Sequence, residues 1–285
     1  MAKIIAAALA ISAVILTVHQ NVTADDKNRD RHLFSEKKGV CPYFSGTLHT
    51  RDNVAIAYEH YKKGFDSVVI VCPGFYNSKK NRWMRKTAKM LSSEHDVIIF
   101  DLRGHGESGG KFTWSAKEHM DLEAVLGYAA AEGYKHIDIL AFSLGAASAV
   151  NAASKRNDIN RMVLISTPTS FRMIDFHFWE PGMFYDLKDN IESKWEGKGA
   201  KTTNIFIHKG EKPIDTIKEI KGTPILFIHG DRDWVIKPWH SERLYEAAGV
   251  DKKLEIIEGG FHAERLIQHH PGRMQELVLD WFREG

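Results

Sequence analysis

"HIDILAFSLGAASAV", residues 136–150, runs an apolar stretch of strand character straight into Ser143 and then into a helix opened by small residues. Apolar residues without alternation read as a strand buried on both faces. Gly145, Ala146, Ala147 and Ser148 leave room for the helix to pass close to that strand. A Ser at so abrupt a strand-to-helix turn is held in a strained backbone conformation with its hydroxyl projecting above the sheet. Ala141 stands where such an elbow usually has its first Gly, and it too is small. A Ser can also open a helix simply as its N-cap, so the neighbourhood has to decide between cap and nucleophile.

Outward from this stretch, short apolar runs alternate with helical patterns. The runs are "VAIAYEH" (54–60), "SVVIVC" (67–72), "DVIIFD" (96–101), "RMVLIS" (161–166), "PILFIH" (224–229) and "KLEIIE" (253–258). Helical spacing of apolar residues covers Trp83 to Ser92, Ser115 to Glu132, Gly145 to Lys155, Ser241 to Ala248 and Met274 to Phe282. Repeated strand–helix–strand units imply an α/β fold with a mostly parallel central sheet flanked by helices, whose functional residues lie at the carboxyl ends of strands. Pro168 to Lys212 breaks the alternation. It mixes aromatics, Phe178 and Trp179 among them, with charges, and reads as a short inserted cap.

The strand ends supply the partners that Ser143 needs. After "PILFIH" comes "GDRD", with Asp231 and Asp233, and after "KLEIIE" comes "GGFH", with His262. The order along the chain is Ser, Asp, His, as expected for such an elbow. Ser is a weak nucleophile, so a neutral imidazole must take its proton. A carboxylate must then fix the imidazole tautomer and stabilise its charged form. The loop "CPGFYN" after "SVVIVC" can present the backbone N–H of Phe75, and the elbow that of Leu144, as donors to an oxyanion.

Nucleotide binding is the competing reading, because "DLRGHGESGG" (101–110) contains a G-x-G-x-x-G. It fails on context. No helix starts directly after these glycines, no strand ends in an acid where a ribose contact belongs, and Lys111 is followed by Phe112 rather than Ser or Thr. The 285 residues carry a formal charge of +2 spread along the chain, which excludes electrostatic attraction to nucleic acid as an organising feature. No metal and no cofactor are expected.

At the N-terminus, Lys3 precedes an apolar run from Ile4 to Val18, and Val22-Thr23-Ala24 offers small residues before a charged stretch. Residues 1–24 read as a signal peptide or an N-terminal membrane anchor, residues 25–40 as a linker and residues 41–285 as one folded domain. The domain is expected to be exported, or tethered to a membrane through residues 4–18 if the segment stays. In that second case Lys27, Arg29 and Arg31 beyond the run outnumber Lys3 before it and argue against outward orientation. Of the two cysteines, Cys41 and Cys72, the second ends a core run and is expected to be a buried free thiol.

These motifs in this order resemble the α/β-hydrolase superfamily, and most of all its bacterial single-domain serine esterases and lipases of the serine-aminopeptidase-like branch. The resemblance covers about Thr47 to Phe282, and in that family "DLRGHGESGG" is a recurrent loop beside the active site. It implies an α/β-hydrolase fold and a metal-free enzyme cleaving a small-molecule carboxylic ester through an acyl-enzyme on Ser143, with His262 as base. It also favours Asp233 over Asp231, because the family places its acid after a Gly with two residues between. Pro73 departs from the His that commonly precedes the Gly of the oxyanion loop. Peptidase or thioesterase activity shares the same triad, and a non-catalytic binding member of the fold is the remaining alternative. The mixed character of the insertion suggests short- to medium-chain acyl groups, with Phe178 and Trp179 as candidate pocket walls.

Overall fold

The computed structural model describes residues 43–171, 174, 199–204 and 210–284. The expected leader (1–24) and linker (25–40) lie outside these residues, as do Cys41 and most of the insertion, Phe178 and Trp179 included. The elements follow in chain order: β1 (Phe44–His49), β2 (Ala55–Tyr61), β3 (Ser67–Cys72), α1 (Arg82–Leu91), β4 (Asp96–Phe100), α2 (His119–Ala131), β5 (His136–Phe142), α3 (Ser143–Ala153), β6 (Met162–Ile165), α4 (Pro213–Thr216), β7 (Ile225–Gly230), α5 (Trp239–Ala247), β8 (Lys252–Ile257), α6 (Glu264–His269) and α7 (Pro271–Arg283).

The strands form one eight-stranded sheet in the order β1-β2-β4-β3-β5-β6-β7-β8. Only β2 runs against its neighbours, pairing antiparallel with β1 and with β4, while β4 through β8 are mutually parallel. The continuous apolar runs explain the centre. Every residue of β4, β6 and β7 is buried, because helices cover both faces there. Alternate side chains feed two core layers. Ile70, Ile98, Ile139 and Leu164 pack with α2 and α3 on one face, and Val69, Ile99, Leu140 and Ile228 pack with α1, α6 and α7 on the other.

Two sequence boundaries shift for physical reasons. The helix expected from Ser115 starts at His119, because Trp114 and Ser115 take positive φ (59° and 71°) and the Glu118 carboxylate accepts from Thr113 N–H and Oγ. The edge strand β1 has no apolar run to announce it, since "FSGTLH" is largely solvent-facing. Cys72 is a buried free thiol, as expected, and burial raises its pKa. Its Sγ–H donates to Gly145 O directly beneath the elbow.

Candidate active site

β5 delivers Ser143 to its carboxyl end, where the chain reverses into α3 with Ser143 at φ 52°. A left-handed φ on a non-Gly residue is strained and persists only where the surroundings enforce it. The enforcement is close packing. A Cβ on Gly145 would lie 2.1 Å from Pro73 O, and one on Gly74 would lie 3.0 Å from the Ser143 side chain. The loop after β3 therefore crosses directly over the elbow, which places the Phe75 N–H region beside Ser143. Leu144 sits in the first turn of α3, whose N–H groups have no carbonyl within the helix to bind.

Asp233 and His262 come from the loops after β7 and β8. His262 Nε2 is 3.0 Å from Ser143 Oγ, and its Nδ1 is 2.7 Å from Asp233 Oδ2. With the carboxylate accepting from Nδ1–H, Nε2 is left to accept from the serine hydroxyl. Asp233 is fully buried, and its Oδ1 also accepts from Val235 and Ile236 N–H. Burial works against its ionisation, but the His262 and His229 imidazoles outweigh it and hold the carboxyl well below the ordinary carboxylate range. Asp231 is solvent-exposed, and its own N–H binds Ile257 O on the neighbouring strand.

The two loops are fastened to each other and to the sheet. Arg232 N–H donates to Gly260 O, and a Cβ on Gly230 would lie 2.3 Å from that same oxygen. Beyond His262 the chain takes a positive φ at the buried Ala263, whose N–H is caught by Ser166 Oγ at the end of β6. The carboxyl ends of three parallel strands, β5, β7 and β8, thus fix the Ser, the Asp and the His.

Three further features were not singled out from sequence. His229, the penultimate residue of β7, is wholly buried with Nε2 2.7 Å from Ile236 O and 3.3 Å from Asp233 Oδ2, while Nδ1 lies 2.6 Å from Ser241 Oγ. Its position at a strand end four residues before Asp233 was the available signal. His105, in the glycine-rich loop, donates from Nδ1 to Arg103 O and accepts the Tyr76 N–H on Nε2. Burial pushes its pKa down to about 4, so it stays neutral and holds the loop carrying Phe75. Around Phe75 stands an aromatic cluster of Tyr76, His105, Phe112 and Trp114, and Trp114 reaches on to Phe171.

The glycines of "DLRGHGESGG" serve a buried carboxylate rather than a phosphate. Asp101 accepts from Lys79 N–H and Nζ and from Glu107 N–H. At Gly106, with φ 47°, a Cβ would lie 2.2 Å from Asp101 Oδ2. Among the described residues no cluster of His, Cys, Asp and Glu is arranged to hold a metal ion.

The comparisons with known proteins point to the same fold. The family model described as alpha/beta hydrolase fold matches residues 67–186, and that described as serine aminopeptidase, S33, matches residues 196–264. The chain has the α/β-hydrolase fold. Among solved structures of this fold, the Pyrococcus furiosus esterase Pf2001 superposes with a TM-score of 0.67 at 25% identity, covering 85% of this chain and 92% of that one. The esterase RhEst1 from Rhodococcus shares the fold, with a TM-score of 0.65 at 17% identity over 83% of this chain and 97% of that one. Among curated relatives, the uncharacterised protein YfhR of Escherichia coli is 27% identical over 65% of this chain, a match that spans 60% of YfhR itself. A yeast relative, 25% identical over 82% of this chain and 78% of its own length, is named as an uncharacterised membrane protein, YNL320W. Among the described residues no helix is long and apolar enough to cross a membrane.

Proposed function

We propose that the chain is a serine hydrolase that cleaves carboxylic esters of short- to medium-chain acids. Ser143 Oγ attacks the ester carbonyl while His262 Nε2 takes its proton, and the Phe75 and Leu144 N–H groups receive the developing oxyanion. Asp233 stays ionised, holds Nδ1–H and stabilises the imidazolium. Collapse returns that proton to the leaving alkoxide and leaves an acyl-enzyme, and water then enters by the same route in reverse. The observation carrying this reading is the continuous row from Ser143 Oγ through His262 to Asp233, at 3.0 and 2.7 Å. The likeness to a 25%-identical esterase supports an ester as the substrate.

The experiment is a panel of p-nitrophenyl esters from acetate to palmitate, run beside labelling with a fluorophosphonate. We expect Ser143 to be the labelled residue and kcat/KM to rise over the first few carbons, each buried methylene contributing about 0.8 kcal/mol, and then to fall. A steady rise to palmitate, or a label at another Ser, overturns the assignment. The serine-aminopeptidase match over residues 196–264 favours a second reading, so aminoacyl p-nitroanilides belong in the same panel. Faster turnover of those substrates would move the proposal to a peptidase. We further propose that residues 1–24 export the domain or keep it on a membrane, and N-terminal sequencing of the mature chain separates these two fates.

A further inference from the structure

His229 is a wholly buried titratable side chain that takes no part in the proton transfers proposed for Ser143 and His262. Its Nε2 stands 3.3 Å from Asp233 Oδ2, the same oxygen that lies 2.7 Å from His262 Nδ1. Two imidazoles thus converge on one carboxylate oxygen, while Oδ1 is taken by Val235 and Ile236 N–H. Beyond each imidazole lies a serine hydroxyl. Ser143 Oγ is 3.0 Å from His262 Nε2, and Ser241 Oγ is 2.6 Å from His229 Nδ1. The row from serine to carboxylate therefore continues into a second His–Ser pair, closed off from solvent.

The proton positions follow from the partners. Ile236 O, 2.7 Å from His229 Nε2, can only accept, so Nε2 carries a hydrogen and shares it between Ile236 O and Asp233 Oδ2. Nδ1 is met by the Ser241 hydroxyl from α5, which fixes the ring. Stapling residues 231–236 to β7 and α5 needs only the bonds to Ile236 and Ser241, and the approach to Oδ2 is additional. Asp231, Arg232 and Glu258, the other ionisable groups on these loops, are exposed, and Lys237 and Glu264 are half-buried. On α5, His240 accepts from Thr169 N–H, and on α6, Arg265 donates to Gln268 Oε1.

We propose that His229 is a positioning residue of the triad, whose Nε2–H draws charge from Asp233 Oδ2 and so lets His262 release its proton at lower pH. A carboxylate oxygen shared between two N–H donors stabilises the imidazolium of either one less than it would alone. Neutral His262 is the form that takes the Ser143 proton, so the bond from His229 extends the working range of the base toward acid. Its catalytic meaning rests on the serine-hydrolase reading, whereas the ionisation of His262 is measurable without turnover.

The test takes the pH dependence of kcat/KM on p-nitrophenyl acetate and, independently, the pH midpoint of the His262 ring signals in NMR, identified by their absence from His262→Gln. His229→Leu and His229→Asn both remove the donor to Oδ2, the second with a polar partner left for Ser241, so either one decides if the other does not fold. The midpoint is expected to move up by about half to one pH unit in both readouts. His229→Gln places an amide nitrogen near the Nε2 position and should keep the wild-type midpoint. Ser241→Ala loosens the same buried corner without removing the donor, and should lower the melting temperature while the midpoint stays. An unmoved or lowered midpoint in the donor-less variants overturns the proposal, as does an equal shift in Ser241→Ala, since either result leaves His229 a loop staple. A wild-type chain that turns over no ester refutes the serine-hydrolase reading alone, and the NMR midpoints still decide between the two roles of His229.

Discussion

Asp233 accepts four N–H donors, from Val235, Ile236, His262 and His229, so its replacement does more than remove one charge. Asp233→Asn turns an amide NH₂ toward at least one of these donors. We expect kcat to fall by about 10⁴, as loss of the correct imidazole tautomer does in serine proteases, and stability to fall by about 1–3 kcal/mol. Steady-state kinetics and urea unfolding read the two effects separately, and Asp231→Asn, at an exposed carboxylate, should leave both near wild type. Ser143→Ala should lower kcat by on the order of 10⁶ with folding retained, because the hydroxyl stands at the elbow and the φ of 52° is a backbone demand that Ala meets as Ser does. Persistent turnover in that variant would remove Ser143 from the mechanism. Ser143 and His262 were legible in the sequence because each sits in small-residue company after an apolar run, whereas the loop after β7 offered two acids and the family resemblance chose Asp233 over Asp231. His229 was missed although it ends an apolar run four residues before Asp233, because that position alone does not tell a carboxylate's buried partner from any other strand-end residue.

Among the elements, the loops after β7 and β8 must close on each other at backbone distance. Gly230→Ala puts a methyl 2.3 Å from Gly260 O and 2.4 Å from Gly260 C, contacts that no rotamer change relieves. The variant should lose about 1–3 kcal/mol and most of its ester turnover, because the loops carrying Asp233 and His262 have to part. Gly127→Ala is the contrasting substitution. It lies on the exposed side of α2 with open space around the added methyl, and should stabilise by about 0.5–1 kcal/mol without touching kcat. Thermal melts of the two variants check both signs. The central strands and most helices were legible because burial on both faces writes continuous apolar runs. β1 was not, for an exposed edge strand writes no such run, and the true start of α2 depends on a Glu118 side chain reaching back to Thr113.

Across the whole molecule, buried cations are held by carboxylates drawn from distant parts of the chain. Arg103 binds Asp52 and Asp121, and Lys79 binds Asp101 and Glu107. Hydrogen bonding to Arg103 outweighs partial burial and depresses the Asp52 carboxyl, and the Lys79 and Lys80 ammonium groups hold Glu107 down to about 2. A carboxyl depressed by folding contributes stability that is complete above its ordinary pKa and is lost as pH falls toward the folded value. The melting temperature should accordingly decline steeply from about pH 4.5 toward 2, as scanning calorimetry across that range would show. Arg103→Met leaves Asp121 buried without its partner and should cost about 3–5 kcal/mol at neutral pH. An unchanged melting temperature would show that this side of the core is not held by charge.

The returning end of the insertion is stitched into the same region. Lys201 donates to Gly104 O and accepts from Phe112 N–H, Thr203 N–H donates to Phe112 O, and Trp114 Nε1 reaches Thr203 O. The glycine-rich loop that holds Tyr76 through His105 is thus braced by residues 201–203, which belong by sequence to the insertion but by bonding to the hydrolase body. For recombination this sets the crossover points. A chimaera that exchanges the whole of residues 168–212 for the matching segment of another protein of this fold discards the brace, whereas one that exchanges only residues 175–198 keeps the host's seam.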